Sequence, residues 1–594
     1  MQNHCKVSLT IVGISAFYHD SACCILQDGI LKAAVQEERF SGRKNDPSLP
    51  KQAFIYCLQA ASVSISDIDC IAYYEDPVKK LARQLWSGNK RITPANILER
   101  DPRDVEWEIR KQLGYTGPVR FYDHHLSHAA SSYFYSGFQR AATLTVDGVG
   151  EWATTTYGTG VEDDLTLFGE VTFPDSLGLL YSAITSFLGF SVNSGEYKVM
   201  GLAPYGTDRF ADKIRQLITN GHDGQYHLDM RYFDFPDGRS MYSSQMEELF
   251  GLSPRVRETE ILQVHMDIAK SLQVVLEEIL LEKARYLHKV TDMDNLCMAG
   301  GVALNCVANA KVLRHTPFKK LYVQPAANDA GCCLGAAALA HRDLSGRKPG
   351  GRMDHAYLGP RYDTDRIEKL LDATSFEYID CRGKTLQLLE MTAKRIAEGK
   401  VIGWFHGCLE FGPRSLGARS ILADPRDPTM RDRINSLVKM REAFRPFAPA
   451  VLESHAADHF DIDHASPFML ETCQVISPID LPAITHVDGS ARIQTVSPDT
   501  NPRFAALLDA FHQLTGCPIL LNTSFNVRDK PIVCTPEDAL TCFITANIDC
   551  LILEDFIIDN IDNKENDQAL TDLLQKVLVE KVSSSISTDV YTFI

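Results

Sequence analysis

Two histidines spaced four residues apart, in DHHLSHAAS (123–131), are the residues of this sequence best suited to chemistry. Residues i and i+4 share one face of a helix, so His124 and His128 are able to place two imidazoles on one metal ion. His125 points away from that face. A single HxxxH pair is also common in ordinary helices, so its interpretation depends on the motifs that accompany it.

Two aspartates accompany the histidines. An apolar strand in TLTVDGVGEW (143–152) breaks at Asp147 into a glycine turn, and NDAGCCLGAAA (328–338) places Asp329 at the start of a predicted buried helix. Two histidines and two carboxylates form a ligand set that suits iron, manganese or zinc. The sequence therefore favours a metal site over an ordinary helix pair.

A pattern of strands and short loops occurs twice in the first half. Residues 9–38 alternate between apolar strands and turns, and residues 141–160 repeat that pattern around an Asp/Gly loop. The repetition predicts a duplicated α/β domain with one phosphate-facing loop from each half. Apolar spacing predicts a helix over 258–289, and 295–313 is predicted as strand, Gly-Gly turn and helix.

Glycine-rich loops suggest where a nucleotide would bind. In AGGVALN (299–305) the glycines expose backbone N–H groups to a phosphate, although a packing turn explains them equally well. The dense run GEYKVMGLAPYG (195–206) indicates a binding loop, with a structural hairpin as the alternative. Together these loops resemble those with which the actin and sugar-kinase superfamily holds a nucleotide. The candidate nucleotide-binding residues are Gly148, Gly150, Glu196, Lys198, Gly300, Gly301 and Asn305.

The turn after the first strand, YHDSACC (18–24), adds a candidate catalytic base. His19 should lie close to where the duplicated loops meet, and a histidine there is able to accept the proton of an alcohol. Asp20 fits a turn or helix-cap role equally well.

Basic residues concentrate in 414–445, in an otherwise acidic chain. Such a charge run is usually a solvated face, and about half of these cations are expected to be so. Arg414 lies in EFGPRSLGARS and Arg445 in AFRPFAPAV, where glycines, prolines and aromatics shape the backbone. Rigid arginines of this kind suit bidentate phosphate binding. The eight cations are Arg414, Arg419, Arg426, Arg431, Arg433, Lys439, Arg441 and Arg445.

Further polar residues follow apolar stretches downstream. HVDGSARIQTV (486–496) contains Arg492, and LLNTSFNVRDKPIV (520–533) ends a predicted buried strand with Asn522 and Ser524. Polar side chains just after an apolar strand are the usual ligand position of an open α/β sheet. This second region is therefore predicted to bind a small phosphate compound.

Length and charge limit the possible classes. A chain of 594 residues should hold at least two domains, since single cores stop growing near ~250–300 residues. The polar, glycine-rich segment 341–355 is the predicted linker, and a short helix is predicted over 570–582. The net charge of -17 argues against a nucleic-acid binder. Without a CxxC pair, a leader or a long apolar run, we expect a cytoplasmic protein with no membrane span.

At this point the sequence resembles the O-carbamoyltransferase family of nodulation, cephalosporin and tobramycin carbamoyltransferases. The resemblance implies an N-terminal duplicated actin/sugar-kinase-like domain (1–345), similar to the threonylcarbamoyl transferase. It implies a C-terminal α/β domain (356–594) similar to the threonylcarbamoyl-adenylate synthase. The motifs that carry it are ISAFYHDSA, DHHLSHAAS, VDGVGEW, GEYKVMGLAPYG, GGVALN, NDAGCCLGAA, EFGPRSLGARSILADPR, FRPFAPAV and LNTSFN.

The same resemblance implies a reaction. Carbamoyl phosphate and ATP, with Mg, would form carbamoyl-adenylate and pyrophosphate in the second domain, and iron(II) in the first domain would assist transfer to an alcohol. The implied metal ligands are His124, His128, Asp147 and Asp329. Arg414 is implied as catalytic, and the implied carbamoyl-phosphate and ATP residues are Arg414, Lys439, Arg445, Arg492 and Ser524, to which the strand pattern adds Asn522.

Other readings remain open at this stage. A carbohydrate kinase would need no second phosphate domain, a tRNA threonylcarbamoylation enzyme is disfavoured by the charge of -17, and a hydrogenase-maturation carbamoyltransferase should carry CxxC motifs. A nucleotide-gated chaperone would explain only the first domain. The acceptor is expected to be a small hydroxylated molecule, and the chain resembles the saxitoxin-pathway members, whose acceptors are guanidinium alkaloids. A monomer or homodimer is expected.

Overall fold

The computed structural model describes residues 8–87, 103–237, 240–374, 376–439 and 444–560. Within them the chain forms two units. The first contains 8–37 and 47–353, and the second contains 38–46 and 354–560. The sequence predicts one domain boundary, between residues 345 and 356, with everything before it in the first domain. In the structure, residues 38–46 belong to the second unit. The helix predicted over 570–582 lies outside the described residues.

The first unit contains twelve of the described strands and eleven of the described helices. Its strands are β1 (Thr10–Ser15), β2 (Ala22–Gln27), β3 (Ile30–Gln36), β4 (Cys70–Tyr73), β5 (Val119–Phe121), β6 (Arg140–Val146), β7 (Ala153–Val161), β8 (Asp164–Thr172), β9 (Ile218–Asn220), β10 (Tyr226–Leu228), β11 (Asn295–Ala299) and β12 (Lys320–Val323). The short helix α1 (Glu38–Ser41) belongs to the second unit. The helices of the first unit are α2 (Lys51–Ala61), α3 (Pro77–Trp86), α4 (Arg103–Leu113), α5 (His124–Tyr133), α6 (Leu177–Phe187), α7 (Glu196–Leu202), α8 (Ala211–Arg215), α9 (Ser244–Phe250), α10 (Gln263–Thr291), α11 (Cys306–His315) and α12 (Asp329–Ser345).

Two five-stranded sheets of the first unit have the same topology. Their strand orders are β3-β2-β1-β4-β5 and β8-β7-β6-β11-β12. In each sheet the first three strands pair antiparallel and the last two add in parallel. This repeat confirms the predicted duplicated α/β domain, because the hairpins of 9–38 and 141–160 lie at equivalent positions in the two sheets.

The duplication places two helices against each other. Helix α5 follows β5 and α12 follows β12, so they occupy equivalent positions, and they pack together. The contact is close because a Cβ at Gly335 of α12 would clash with the carbonyl oxygen of Ser127 in α5. The loops after β1 and β6 are likewise equivalent. The first turns of α5 and α12 and these two loops carry the residues with metal-ligand chemistry.

Two predicted boundaries need correction. The linker predicted over 341–355 is wrong over its first five residues, which complete α12. Arg342 in the last turn and Gly346 at φ +76° are typical of a helix end, and these residues gave the segment its linker-like composition. The helix predicted over 258–289 is α10, which begins only at Gln263.

The second unit is built on one eight-stranded mixed sheet and a separate pair of strands. The strands are β13 (Ile379–Asp380), β14 (Ile402–Phe405), β15 (Arg419–Ala423), β16 (Ala448–Leu452), β17 (Thr472–Gln474), β18 (Ser490–Arg492), β19 (Gln494–Val496), β20 (Ile519–Ser524), β21 (Cys550–Leu553) and β22 (Phe556–Asp559). The helices are α13 (Thr364–Asp372), α14 (Thr385–Ala397), α15 (Met430–Ile434), α16 (Ala456–His459), α17 (Pro502–Thr515) and α18 (Pro536–Thr545). The order in the large sheet is β13-β22-β21-β14-β15-β20-β16-β19, and β17 pairs with β18. Apolar residues of the large sheet and of α14 and α17 form a continuous core.

No helix among the described residues is long and apolar enough to span a membrane. The longest, α10, has 29 residues, but its sequence carries charges along its whole length.

Candidate metal centre

The four residues predicted to bind metal lie together in the first unit. Helix α5 directs His124 and His128 to one side, Asp147 follows β6, and Asp329 begins α12. The Nε2 atoms of the two histidines lie 3.3 and 3.8 Å from Asp147 Oδ2, and both lie 3.7 Å from Asp329 Oδ1. Ligands at the usual distance of 2.0–2.1 Å from a tetrahedral ion lie about 3.4 Å apart. The spacing therefore fits one ion.

Several nitrogen and oxygen atoms of this cluster that could bind a metal ion have no hydrogen-bond partner among the described residues. They include both ring nitrogens of His128 and both carboxylate oxygens of Asp329. Both side chains have 0% exposure. Buried polar atoms are nearly always paired, because leaving them unpaired costs free energy. The cluster is therefore chemically incomplete without a cation, and the residues fit a metal.

The electrostatics of the cluster agree with a need for positive charge. Burial opposes the charged form of His128, yet Cys332, Asp147 and Asp329 hold its pKa well above the usual value. Burial also opposes ionisation of Asp147, yet the nearby rings of His124 and His128 keep its pKa well below the usual value. The pKa of Asp329 is lowered too, because His19 and His124 outweigh its burial. The carboxylates are thus held as anions.

Glycines around Asp147 hold its carboxylate in place. Gly301 N–H donates to Asp147 Oδ1 at 2.7 Å, and a Cβ at Gly300, which has φ +93°, would clash with the Val146 carbonyl. At Gly150 a Cβ would lie 3.0 Å from His124 Cβ, so the loop after β6 packs directly against α5. In the structure these predicted nucleotide-binding glycines contact the candidate metal-binding residues.

The remaining predicted nucleotide-binding residues have partners of their own. Asn305 Oδ1 accepts from Ala308 N–H at the start of α11, and its amide exchanges hydrogen bonds with Gln273. Glu196 accepts from Ser182 Oγ and from the backbone N–H of Asn193 and Gly195. Gly148 O accepts from Ser176 Oγ, and Lys198 Nζ lies 5.8 Å from the centre of the Phe190 ring.

His19 borders the metal cluster. Its Nε2 lies 3.8 Å from Asp329 Oδ2, and its Nδ1 lies 3.0 Å from Asp20 Oδ2. Burial opposes its charge, but Asp329 and Asp20 raise its pKa to about 9. The turn that holds it is tight, with positive φ at Phe17 (+68°) and Asp20 (+54°). His19 is therefore protonated at neutral pH unless a cation offsets the nearby carboxylates.

Sequence reasoning missed three residues beside the cluster. Glu151 accepts from His124 N–H and so fixes the first turn of α5. Arg83 Nε donates to the Glu151 carbonyl at 2.6 Å. The Cys332 thiol lies near both histidines. Helical spacing was a usable signal for Cys332, because it follows Asp329 by three positions on α12, whereas nothing local to α3 indicated Arg83.

In the second unit, four predicted phosphate-binding residues belong to one edge of the sheet. Strand β15 pairs antiparallel with β20, and Ser420 lies opposite Ser524, so the start of β15 lies beside the end of β20. Arg414 is in the loop that leads into this start of β15. Strand β16 also runs antiparallel to β20, and β19 runs parallel to β16, so the starts of β16 and β19 lie at that edge. Arg445 lies three residues before β16, and Arg492, the last residue of β18, lies two residues before β19.

The remaining predicted residues of this unit are described only in part. Asn522 Nδ2 donates to Gln494 Oε1 at 2.8 Å, which uses part of its hydrogen-bonding capacity inside the sheet. Ser524 Oγ donates to Asn526 Oδ1 at 2.7 Å. Lys439 ends a short helical turn, and its side chain lies outside the described part of the structure.

The loop that carries Arg414 is held from inside the second unit. Glu410 Oε1 accepts from the backbone N–H groups of Leu416, Ala418 and Arg419. Arg39, from the segment 38–46, donates to the Gly412 carbonyl at 2.7 Å. Both interactions fix the backbone on either side of Arg414.

Comparisons with known proteins cover both units. Residues 10–338 match a family model described as carbamoyltransferase N-terminus, and residues 393–560 match one described as carbamoyltransferase C-terminus. An uncharacterized protein of Synechocystis is 43% identical over 94% of this chain and 98% of its own length. The nodulation protein NolNO of Sinorhizobium fredii is 39% identical over 92% of this chain and 79% of its own.

Two solved structures match just over half of the chain at low similarity. HypF of T. kodakarensis is 14% identical over 57% of this chain and 48% of its own, with a TM-score of 0.29. The ROK hexokinase of Thermus thermophilus is 15% identical over 55% of this chain and 97% of its own, with a TM-score of 0.25.

Proposed function

The chain belongs to the carbamoyltransferase family, and from this premise we propose that it is an ATP- and carbamoyl-phosphate-dependent O-carbamoyltransferase. Its product would be the carbamate ester of a hydroxyl group on a small natural product. The single observation that carries the proposal is the buried cluster of His124, His128, Asp147 and Asp329, placed by the duplicated fold of a carbamoyltransferase-family chain.

The first half-reaction is assigned to the second unit. Carbamoyl phosphate loses phosphate to water, the carbamate oxygen attacks the α-phosphorus of ATP, and pyrophosphate leaves, which gives carbamoyl-adenylate. Arg414, Arg445 and Arg492 would hold the phosphate groups, because guanidinium groups bind phosphate oxygens in pairs. Their placement at one sheet edge with Ser524 supports this assignment. Mg would accompany ATP.

The second half-reaction is assigned to the metal cluster of the first unit. His124, His128, Asp147 and Asp329 would hold Fe(II), which supplies Lewis-acid stabilisation of negative charge. The acceptor hydroxyl attacks the carbamoyl carbon, AMP leaves, and the hydroxyl proton passes to His19 when its ring is neutral. The position of His19 beside Asp329 supports this role.

The acceptor that we propose is a small hydroxylated molecule that carries positive charge. The net charge of -17 and the density of carboxylates around His19 favour a cationic acceptor. A saxitoxin-type guanidinium alkaloid has this chemistry. The family match over both halves does not favour a carbohydrate kinase or a tRNA threonylcarbamoylation enzyme.

The proposal is tested by supplying the iron-loaded protein with ATP, carbamoyl phosphate and a panel of hydroxylated acceptors. The panel should contain guanidinium alkaloids, aminoglycosides and neutral sugars, each paired with a deoxy analogue that lacks the target hydroxyl. We expect carbamoyl-phosphate-dependent pyrophosphate release and a carbamoyl mass increase on one acceptor but not on its deoxy analogue. Release of ADP with a phosphorylated acceptor would contradict the proposal and indicate a kinase.

A further inference from the structure

A cysteine lies beside the two histidines of the metal cluster. Cys332 is one turn after Asp329 on α12 and has 0% exposure. Its Sγ and one ring nitrogen each of His124 and His128 all lie within 4.8 Å of one another. The histidines therefore belong to two overlapping donor sets, one completed by the two aspartates and one completed by this thiol.

The second set is supported by atoms that lack partners. Both ring nitrogens of His128 and the Nδ1 atom of His124 are buried and have no hydrogen-bond partner among the described residues. Helix α12, which carries Cys332, packs against α5. A buried imidazole with neither nitrogen paired is uncommon, because each unpaired nitrogen costs free energy.

The neighbouring cysteine of the same helix points elsewhere. Cys333 is equally buried, but its side chain contacts Cys24 of β2. Adjacent residues of a helix point in directions that differ by about 100°, so only one of the two thiols is able to face α5. Cys333 is therefore a matched control for Cys332.

We propose that the Cys332 thiolate is an additional ligand of the metal ion held by His124 and His128. This inference rests on the metal site of the proposed function and extends its ligand set. Binding breaks the S–H bond of Cys332, forms a sulfur–metal bond and releases the proton to solvent. A mixed nitrogen, oxygen and sulfur set is softer than two histidines with two aspartates, so it favours zinc, cobalt and iron over manganese.

The test uses cobalt(II) as a spectroscopic probe in the full chain. A cobalt–thiolate bond gives an intense charge-transfer band in the near ultraviolet, which nitrogen and oxygen ligands do not give. We expect the band in the parent protein and in Cys333→Ser, and its loss in Cys332→Ser with cobalt still bound. We also expect zinc affinity to fall at least about tenfold in Cys332→Ser, the lower bound seen for outer ligand partners, with a smaller change for manganese.

X-ray absorption of the zinc-loaded parent protein gives a second measurement that needs no variant. We expect a sulfur scatterer at about 2.3 Å in addition to nitrogen and oxygen. Cobalt binding without the charge-transfer band, or a zinc shell without sulfur, would overturn the inference and leave the proposed metal site intact. Failure of the parent protein to bind cobalt or zinc at all would overturn both.

Discussion

The candidate metal site of the first unit and the arginine-rich segment of the second unit differ in how their buried polar atoms are hydrogen-bonded. In the cluster, the side chains of His128 and Asp329 are fully buried, and their nitrogen and oxygen atoms have no hydrogen-bond partner among the residues that the structure describes. In the second unit, the equally buried Arg419 donates to four backbone carbonyls. The side-chain atoms of His128 and Asp329 fit a bound cation, whereas both terminal nitrogens of Arg419 already have partners within the second unit. Residue type alone does not separate the two, but the state of the polar atoms does.

The largest effect is expected from His128→Ala. The change removes one imidazole from the cluster, so bound metal and carbamoyl transfer should both be lost. Metal analysis of the purified protein and a transfer assay measure the two effects. His125→Gln is the control, because the His125 ring contacts Thr145 Oγ1 at 2.7 Å. Unchanged metal content in His128→Ala would contradict the assignment of the cluster.

A large effect on rate is expected from His19→Asn. Loss of a general base typically costs ~10²–10⁴ in rate, so transfer should slow by that factor while pyrophosphate release is little changed. Asp20→Asn tests the alternative base and should be milder. Transfer at the parental rate in His19→Asn would show that this residue only shapes the turn.

The same variant should change how the stability of the metal-free protein depends on pH. The folded pKa of His19 is raised to about 9 because Asp329 and Asp20 outweigh its burial. A raised pKa stabilises the fold fully below the ordinary value near ~6.5. That stabilisation is lost as pH rises through about 9. Denaturant unfolding between these limits should show a flatter profile in His19→Asn than in the parent.

A loss of stability without a specific effect on catalysis is expected from Arg419→Met. The substitution keeps the volume of the stem but leaves the carbonyls of residues such as Pro360 and Gly407 without their donor. Removing one partner of a buried charged network costs about 3–5 kcal/mol. Urea unfolding monitored on the second unit measures it. A loss below 1 kcal/mol would contradict a structural role for this guanidinium.

A smaller effect, confined to one half-reaction, is expected from Arg414→Ala. Loss of charge-assisted phosphate contacts costs about 1.5–3 kcal/mol, so carbamoyl-phosphate-dependent pyrophosphate exchange should fall roughly ten- to hundredfold. Transfer from synthetic carbamoyl-adenylate should be retained. The control is Arg431→Ala, whose side chain pairs with Asp432 at the surface. Equal loss of both half-reactions would show that Arg414 serves the fold or the other site.

The sequence was sufficient to predict the duplicated fold, because alternation of apolar strands and Asp/Gly loops is a local pattern. It also placed Asp329 at a helix start and His124 with His128 on one helix face. These are short-range consequences of helical geometry. The spatial grouping of all four residues followed from the duplication, which places α5 and α12 at equivalent positions.

Other features depend on tertiary contacts that no local pattern contains. Residues 38–46 belong to the second unit, and Arg39 donates a hydrogen bond to the Gly412 carbonyl. These two positions are far apart in the chain. The partners of Arg419 are backbone carbonyls, which carry no sequence signal. The motif around Asn305 predicts a nucleotide-binding residue, and in the structure its side chain caps α11. Asparagine is a common residue at a helix start, so the motif alone does not indicate this contact.

The most direct test of the two-site account is to follow the intermediate in His128→Ala. The variant is given ATP, carbamoyl phosphate and an acceptor that the parent protein carbamoylates, and the quenched mixture is analysed by mass spectrometry. We expect pyrophosphate release, accumulation of carbamoyl-adenylate and no carbamoylated acceptor. Carbamoylated acceptor at the parental rate, or loss of pyrophosphate release together with transfer, would contradict it.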